Sequence, residues 1–264
     1  MMCIGTSEPY FSFSLLNTSI MAASGRSALV VGATGQVGRY LLTQVLASPA
    51  FTSVAEYGRR VTSSNDIPKE HASKLVQKTV DFEKLNEAEW KDPKFDAVFI
   101  ALGTTRADAG SAQAFEKIDR EYVLNAAKAA RVEGIEQRLV YCSVSGASAS
   151  SPFLYVKSKG LTENGLAALG YKDTISVRPC ALGGARREKP RMLEDAFVTI
   201  CYQLNRISPR YAVDISEVAR AMRKAGELGI AGLPPSAETF QSGPAEMPCT
   251  IIPNQGILAL AKET

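Results

Sequence analysis

Two patterns of apolar and polar positions alternate along this chain. Short, nearly continuous apolar runs fit strands buried on both faces. Longer stretches with apolar residues every three to four positions fit helices packed over them. The series opens with an apolar run at 28–31 and a helix at 36–46, which Pro49 ends. Further strands are expected over 53–57, 74–82, 95–102, 138–142 and 174–178, with helices over 112–131 and 155–169. The helix at 112–131 turns Phe115, Ile118, Tyr122, Val123 and Ala126 inward, with Asp119 and Asn125 as polar intruders. Beyond 180 the pattern predicts helices over 193–204 and 214–228 and a short strand at 211–213. A Pro/Gly/Ser-rich loop over 232–248, a strand at 250–252 and a helix over 255–262 complete the chain.

The first strand and helix are joined by Gly32-Ala33-Thr34-Gly35-Gln36-Val37-Gly38, three glycines at G-x-x-G-x-x-G spacing. In that context Gly32 makes the turn, Gly35 lets the backbone approach a pyrophosphate, and Gly38 lets the helix pack close to its strand. Thr34, Gln36 and Val37 complete the loop, and the helix start offers free N–H groups to phosphates. A structural turn without ligand is the plainer alternative. Strand–helix alternation with this turn predicts an α/β fold, a Rossmann-type doubly wound parallel sheet. One domain is expected over 26–264, with small C-terminal substrate-side elements from about residue 180. Residues 1–25 lie outside the pattern. They carry an apolar run at 10–16, one acid at Glu8 and no Lys or Arg, which matches neither a secretory signal nor a matrix transit peptide well. A disordered or targeting leader is expected there, with Met21 as an alternative start.

The second strand ends in Gly58-Arg59-Arg60. An acid at this tip bonds the ribose 2′-hydroxyl of NAD, whereas an arginine accommodates the 2′-phosphate of NADP. Two arginines favour NADP over NAD; Glu56, just inside the strand, is the one contrary sign. Asp81-Phe82 closes the expected third strand and serves either the adenine amino group and ring or, for Asp81, the cap of a following helix. Leu102-Gly103-Thr104-Thr105 ends the fourth strand, where small residues let backbone and hydroxyls approach a cofactor. Tyr155 and Lys159 stand four apart on one helix face after a serine-rich strand end. A cation beside a phenol lowers its pKa toward neutrality, which suits general acid–base work, although a chance pair on a surface helix has the same spacing.

Charge and cysteine usage narrow the alternatives. With 45% hydrophobic and 22% charged residues and a net charge of +3, the composition is that of a globular protein without a nucleic-acid face. Five scattered cysteines without C-x-x-C spacing read as reduced thiols, and one histidine, His71, leaves neither a metal centre nor histidine catalysis. No run approaches the roughly 18 apolar residues of a spanning helix.

Several stretches together carry a resemblance. They are Gly32/Gly35/Gly38, Ala101-Leu102-Gly103-Thr104-Thr105-Arg106, Ser143-Val144-Ser145-Gly146-Ala147, Tyr155 with Lys159-Gly160, and Arg178-Pro179. Over about 27–228 the chain resembles the atypical short-chain dehydrogenase/reductases, in particular the Tat-interacting oxidoreductase group, whose fungal members are found at the mitochondrial outer membrane. The resemblance implies an NADP-dependent oxidoreductase acting on a small carbonyl compound. Tyr155, Lys159 and Ser143 (Ser145 in reserve) form the catalytic group, with Tyr155 and Lys159 also contacting the cofactor. Cys180 follows Pro179 where the family usually has glycine, which bears on contacts near the nicotinamide. The resemblance also implies peripheral membrane association at the mitochondrial surface, with a cytoplasmic location as the alternative, and it is compatible with oligomers. A non-catalytic, NADP-binding interaction protein is the alternative from a different class. The substrate is not legible in the last 80 or so residues.

Overall fold

The computed structural model describes residues 25–85, 90–91, 93–184 and 212–263. The expected leader, the helix at 193–204 and Tyr211 lie outside the described residues. An eight-stranded sheet runs in the order β3-β2-β1-β4-β5-β6-β10-β9. Its strands are β1 (Arg26–Val31), β2 (Phe51–Gly58), β3 (Leu75–Thr79), β4 (Ala97–Ile100), β5 (Arg138–Cys142), β6 (Asp173–Arg178), β9 (Phe240–Ser242) and β10 (Cys249–Pro253). Every pairing is parallel except β9 on β10. Strand order reverses between β1 and β4, and open α/β sheets bind ligands at the carboxyl ends of the strands at such a switch point. A separate parallel pair joins β7 (Ala181–Gly183) to β8 (Ala212–Asp214).

Helices cover both faces because both faces of the central strands are apolar. On one side lie α1 (Gln36–Ala47), α6 (Ile215–Gly232) and α7 (Asn254–Lys262). Leu41, Val45, Val218 and Met222 pack there with Val30 and Phe99 in one buried cluster. On the other side α4 (Tyr122–Ala130) and α5 (Leu154–Ala167) cover a second cluster around Leu29, Val98, Leu139 and Trp90. Asp214 starts α6 with a capping box: its carboxylate accepts from the Ser216 amide at 2.8 Å, and Glu217 accepts from the Asp214 amide at 3.0 Å.

Several local expectations are revised. The third strand stops at Thr79 rather than residue 82, because the chain turns at Asp81, whose carboxylate accepts from the Glu83 amide at 2.9 Å. The loop at 232–248 contains β9, and β7 adds a strand after Pro179. The fourth strand is shorter than its apolar run. The helix expected over 112–131 is α3 (Ala112–Glu116), one π turn (Lys117–Glu121) and α4, with the short α2 (Arg106–Ala109) before it.

Candidate functional site: a dinucleotide cleft

The glycine loop adopts the turn its spacing predicts. Gly32 sits at φ +90, and its carbonyl accepts from the Gly35 amide at 3.0 Å. A Cβ on Gly32 would come within 2.8 Å of the Ala101 and Leu102 backbone, so the loop crosses close over the end of β4. A Cβ on Gly38 would lie 1.9 Å from the Gly32 carbonyl oxygen, which is the close strand–helix approach required of the third glycine. No side chain caps the start of α1 at Gly35. Thr34 is exposed, Gln36 is half-buried and Val37 is buried at the base.

Arg59 and Arg60 are exposed where β2 ends. Glu56 does not share that exposure. It is 1% exposed and accepts from the Thr62 amide and hydroxyl, each at 2.8 Å, and from Gln77 at 2.7 Å. The acid therefore pins its own loop and leaves the arginines at the tip. Arg39, one residue past Gly38, was not singled out in the sequence. Its guanidinium reaches Gln36 at 3.0 Å, while its Nε is buried without a hydrogen-bond partner among the described residues. A cavity of about 480 Å³ beside it is lined by Thr34, Arg39, Thr62, Ser63 and Asp66 among others. Phe82 is buried in the aromatic cluster, stacked on Tyr122 at 5.3 Å between centroids, and so serves the core. Asp81 is engaged in the turn described above, a local role, but among the described residues no helix starts at Glu83 for it to cap.

The ends of β4 and β5 bring the remaining residues together. Gly103 lies at the mouth: a Cβ there would stand 3.5 Å from Lys159 Nζ and 3.4 Å from Asp119 Oδ1. Leu102 packs against the second core cluster. Thr104 is half-buried, and Thr105 caps α2 by accepting from the Asp108 amide at 3.2 Å. Ser143 follows β5 directly, held by its amide on the Val177 carbonyl at 2.8 Å. Its Oγ is buried and has no hydrogen-bond partner among the described residues. Ser145 is exposed.

Lys159 is 3% exposed and donates to the Tyr141 hydroxyl at 2.8 Å, with Asp119 at 3.0 Å. Burial works against its charge, but Tyr141, Asp119 and Tyr155 outweigh that and hold the ammonium well above its ordinary pKa. Tyr155 packs its ring on Phe115, 5.9 Å between centroids, and the residue is 42% exposed. The expected lowering of its pKa is reversed. Burial raises it; Lys159 pulls the other way but is outweighed, with Asp119 and Cys142 adding to the rise. Burial likewise pushes the Cys142 thiol up to about 11.

An orphaned buried hydroxyl at Ser143, the Lys159 ammonium beside Gly103, and a helix start without a side-chain cap beside the glycine loop all fit a dinucleotide laid across the switch point. Among the described residues no His/Cys/Asp/Glu group is arranged for a metal ion.

Fold and cleft define a class, the Rossmann nucleotide-binding proteins of short-chain dehydrogenase/reductase type. The chain belongs to the NAD dependent epimerase/dehydratase family, which it matches over residues 28–165. It is 36% identical over 204 residues to Protein FMP52-1, mitochondrial, of Scheffersomyces stipitis, covering 73% of this chain and 86% of that protein. It is 37% identical over 164 residues to Protein HTATIP2 of Rattus norvegicus, covering 62% and 65%. Among solved structures it resembles the Bordetella bronchiseptica enzyme WbmF in complex with NAD+, with a TM-score of 0.58, 14% identity and coverage of 79% and 71%. A 3-oxoacyl-[acyl-carrier protein] reductase from Brucella melitensis superposes with a TM-score of 0.58, 17% identity and coverage of 77% and 91%.

Proposed function

We propose that this protein is an NADP-dependent oxidoreductase that transfers hydride between NADPH and a small carbonyl compound. The observation that supports the reading is the buried Lys159 ammonium beside Gly103, acting electrostatically on Tyr155, together with the unpartnered Ser143 hydroxyl just after β5. The nicotinamide, when bound, supplies the hydride. Ser143 and Tyr155 donate hydrogen bonds to the substrate oxygen, Tyr155 delivers the proton, and Lys159 holds the nicotinamide ribose. The engagement of Glu56 with Thr62 and Gln77 supports NADP over NAD, because the one acid near the tip is then occupied and Arg59, Arg60 and Arg39 are left to meet the 2′-phosphate. A mitochondrial location, peripheral at the outer membrane, belongs to the same proposal. It is supported by relatives whose names carry the word mitochondrial. Among the described residues no helix is long and apolar enough to cross a membrane.

The test is Tyr155→Phe, assayed by NADPH oxidation over a panel of small aldehydes and ketones. Loss of a positioned general acid costs about 10²–10⁴ in rate. The expected result is a loss of that order with NADPH affinity nearly unchanged. An undiminished rate contradicts the tyrosine's role.

A further inference from the structure

Arg59-Arg60-Val61-Thr62 puts a hydroxyl three residues after one arginine and two after another. Arginines at those two spacings ahead of a serine or threonine are what the acidic clefts of basic-directed protein kinases read. Both arginines are exposed, Thr62 is half-buried, and the segment 59–63 lies in neither helix nor strand. The same threonine fastens the loop. It donates to the buried Glu56 carboxylate from its hydroxyl and from its amide, each at 2.8 Å, and its carbonyl accepts from Gln77 Nε2 at 2.8 Å. Gln77 also donates to Glu56 at 2.7 Å. Thr62 and Ser63 line the cavity of about 480 Å³ beside Arg39. The function proposed above gives the arginines a ligand but leaves this threonine without a task.

We infer that Thr62 is a phosphorylation site for a basic-directed protein kinase, and that its phosphate shuts the 2′-phosphate end of the cleft. The consequence for nucleotide rests on the NADP reading proposed above; the site itself does not. In the transfer, Thr62 Oγ1 attacks the γ-phosphorus of ATP. The bond from that phosphorus to the bridging oxygen breaks, ADP leaves, and the hydroxyl proton passes to the base of the kinase. The threonine oxygen becomes an ester oxygen with no hydrogen, so it no longer donates to Glu56. A group of about −1.5 to −2 charge then stands against a carboxylate that is 1% exposed. Two anions do not share that seat, so the side chain must leave Glu56. The open side is the cavity. There Arg39 carries a buried Nε without a hydrogen-bond partner among the described residues, and Asp66 is the acid on the wall. Phosphate and guanidinium pair strongly. The phosphothreonine therefore takes the cation offered to the 2′-phosphate, and its own charge repels that group.

The test treats the folded full-length protein with ATP and the catalytic subunit of a cyclic-nucleotide-dependent protein kinase, and locates phosphate by peptide mass spectrometry. Phosphate at Thr62 is expected, absent in Thr62→Val and at that position in Arg59→Gln/Arg60→Gln. No phosphate at Thr62, or phosphate there only after thermal unfolding, overturns the inference. NADPH and NADH affinities of the phosphorylated and unmodified proteins are then compared by fluorescence titration. Loss of one charge-assisted contact weakens binding about ten- to a hundredfold. A drop of that order is expected for NADPH, with little change for NADH and recovery after phosphatase treatment. Unchanged NADPH affinity overturns the closure. A second readout needs no nucleotide: hydrogen exchange in the peptide spanning 56–63 should quicken on phosphorylation, because Thr62 loses its hold on Glu56. Unchanged exchange overturns the release. A protein that binds neither nucleotide, yet takes phosphate at Thr62 with faster exchange, keeps the switched loop and loses the NADP reading.

Discussion

At Gly38 the requirement is steric. The nearest obstacle to a side chain is the Gly32 carbonyl, a backbone atom that cannot swing aside, at 1.9 Å from where a Cβ would stand. Gly38→Ala must therefore separate α1 from β1 or distort the glycine turn. Overpacking of this kind costs about 1–3 kcal/mol. Denaturant unfolding of Gly38→Ala is expected to show a loss of that size or more, together with weakened nucleotide binding; native stability in the variant contradicts the close approach. The same residue-scale reading divides what could be foreseen. The glycines, Tyr155 and Lys159 announce themselves by type and spacing. Glu56 does not, because an acid near a strand tip is ambiguous until its partner is known. In β2, Ala55 and Tyr57 join one core cluster and Val54 the other, so Glu56 faces the α1 side, where Thr62 folds back onto it. Tyr141 was hidden in an apolar strand, and only its hydroxyl on Lys159 gives it a role.

At the scale of elements, the helix after β4 shows why periodicity stops short of the site. Its apolar positions predict a continuous helix and leave Asp119 unexplained. The π turn supplies the explanation, and a break in hydrogen-bond register leaves no mark in composition. A second element-level tie is the buried pair between Arg178 at the end of β6 and Glu163 on α5. Two contacts join them, at 2.9 and 2.5 Å, and Arg178 also reaches the Ser242 hydroxyl of β9 at 3.1 Å. The Glu163 side chain is 2% exposed, so removing it strands a guanidinium in the interior. Glu163→Ala is expected to lower the unfolding free energy by about 3–5 kcal/mol. Replacing Arg178 and Glu163 together by apolar residues is expected to recover part of that loss. A Glu163→Ala protein within 1 kcal/mol or so of native would show that β6, β9 and α5 are held by packing alone.

At the scale of the molecule, sheet order and chemistry agree. The reversal between β1 and β4 puts the glycine loop, Gly103 and the Tyr155/Lys159 pair at the same edge of one sheet. The alternation of apolar runs and amphipathic helices was sufficient to foresee that doubly wound sheet. The short strand expected at 211–213 is β8, whereas its partner β7 and the edge strand β9 were not foreseen, being three residues each and too short for a periodic signal. The pH behaviour belongs to this scale as well. Because the Tyr155 pKa is held above its ordinary value, its phenol stays protonated through neutral pH, as the proposed proton donor must. Carbonyl reduction should then fall only as pH rises through that raised value, with oxidation of the corresponding alcohol rising over the same range.

The central claim is that the cleft binds NADP, and thermal unfolding with NADPH, with NADH and with neither tests it most directly. A ligand at 100 times its dissociation constant adds about 2.7 kcal/mol, which for a chain of this size raises the midpoint by roughly 5–10 °C. A rise of that order is expected with NADPH and a clearly smaller one with NADH at the same concentration, with the difference lost in Arg59→Gln/Arg60→Gln. Equal shifts with both would contradict the arginine reading, and no shift with either would leave the glycine turn a structural feature and remove the basis for an oxidoreductase.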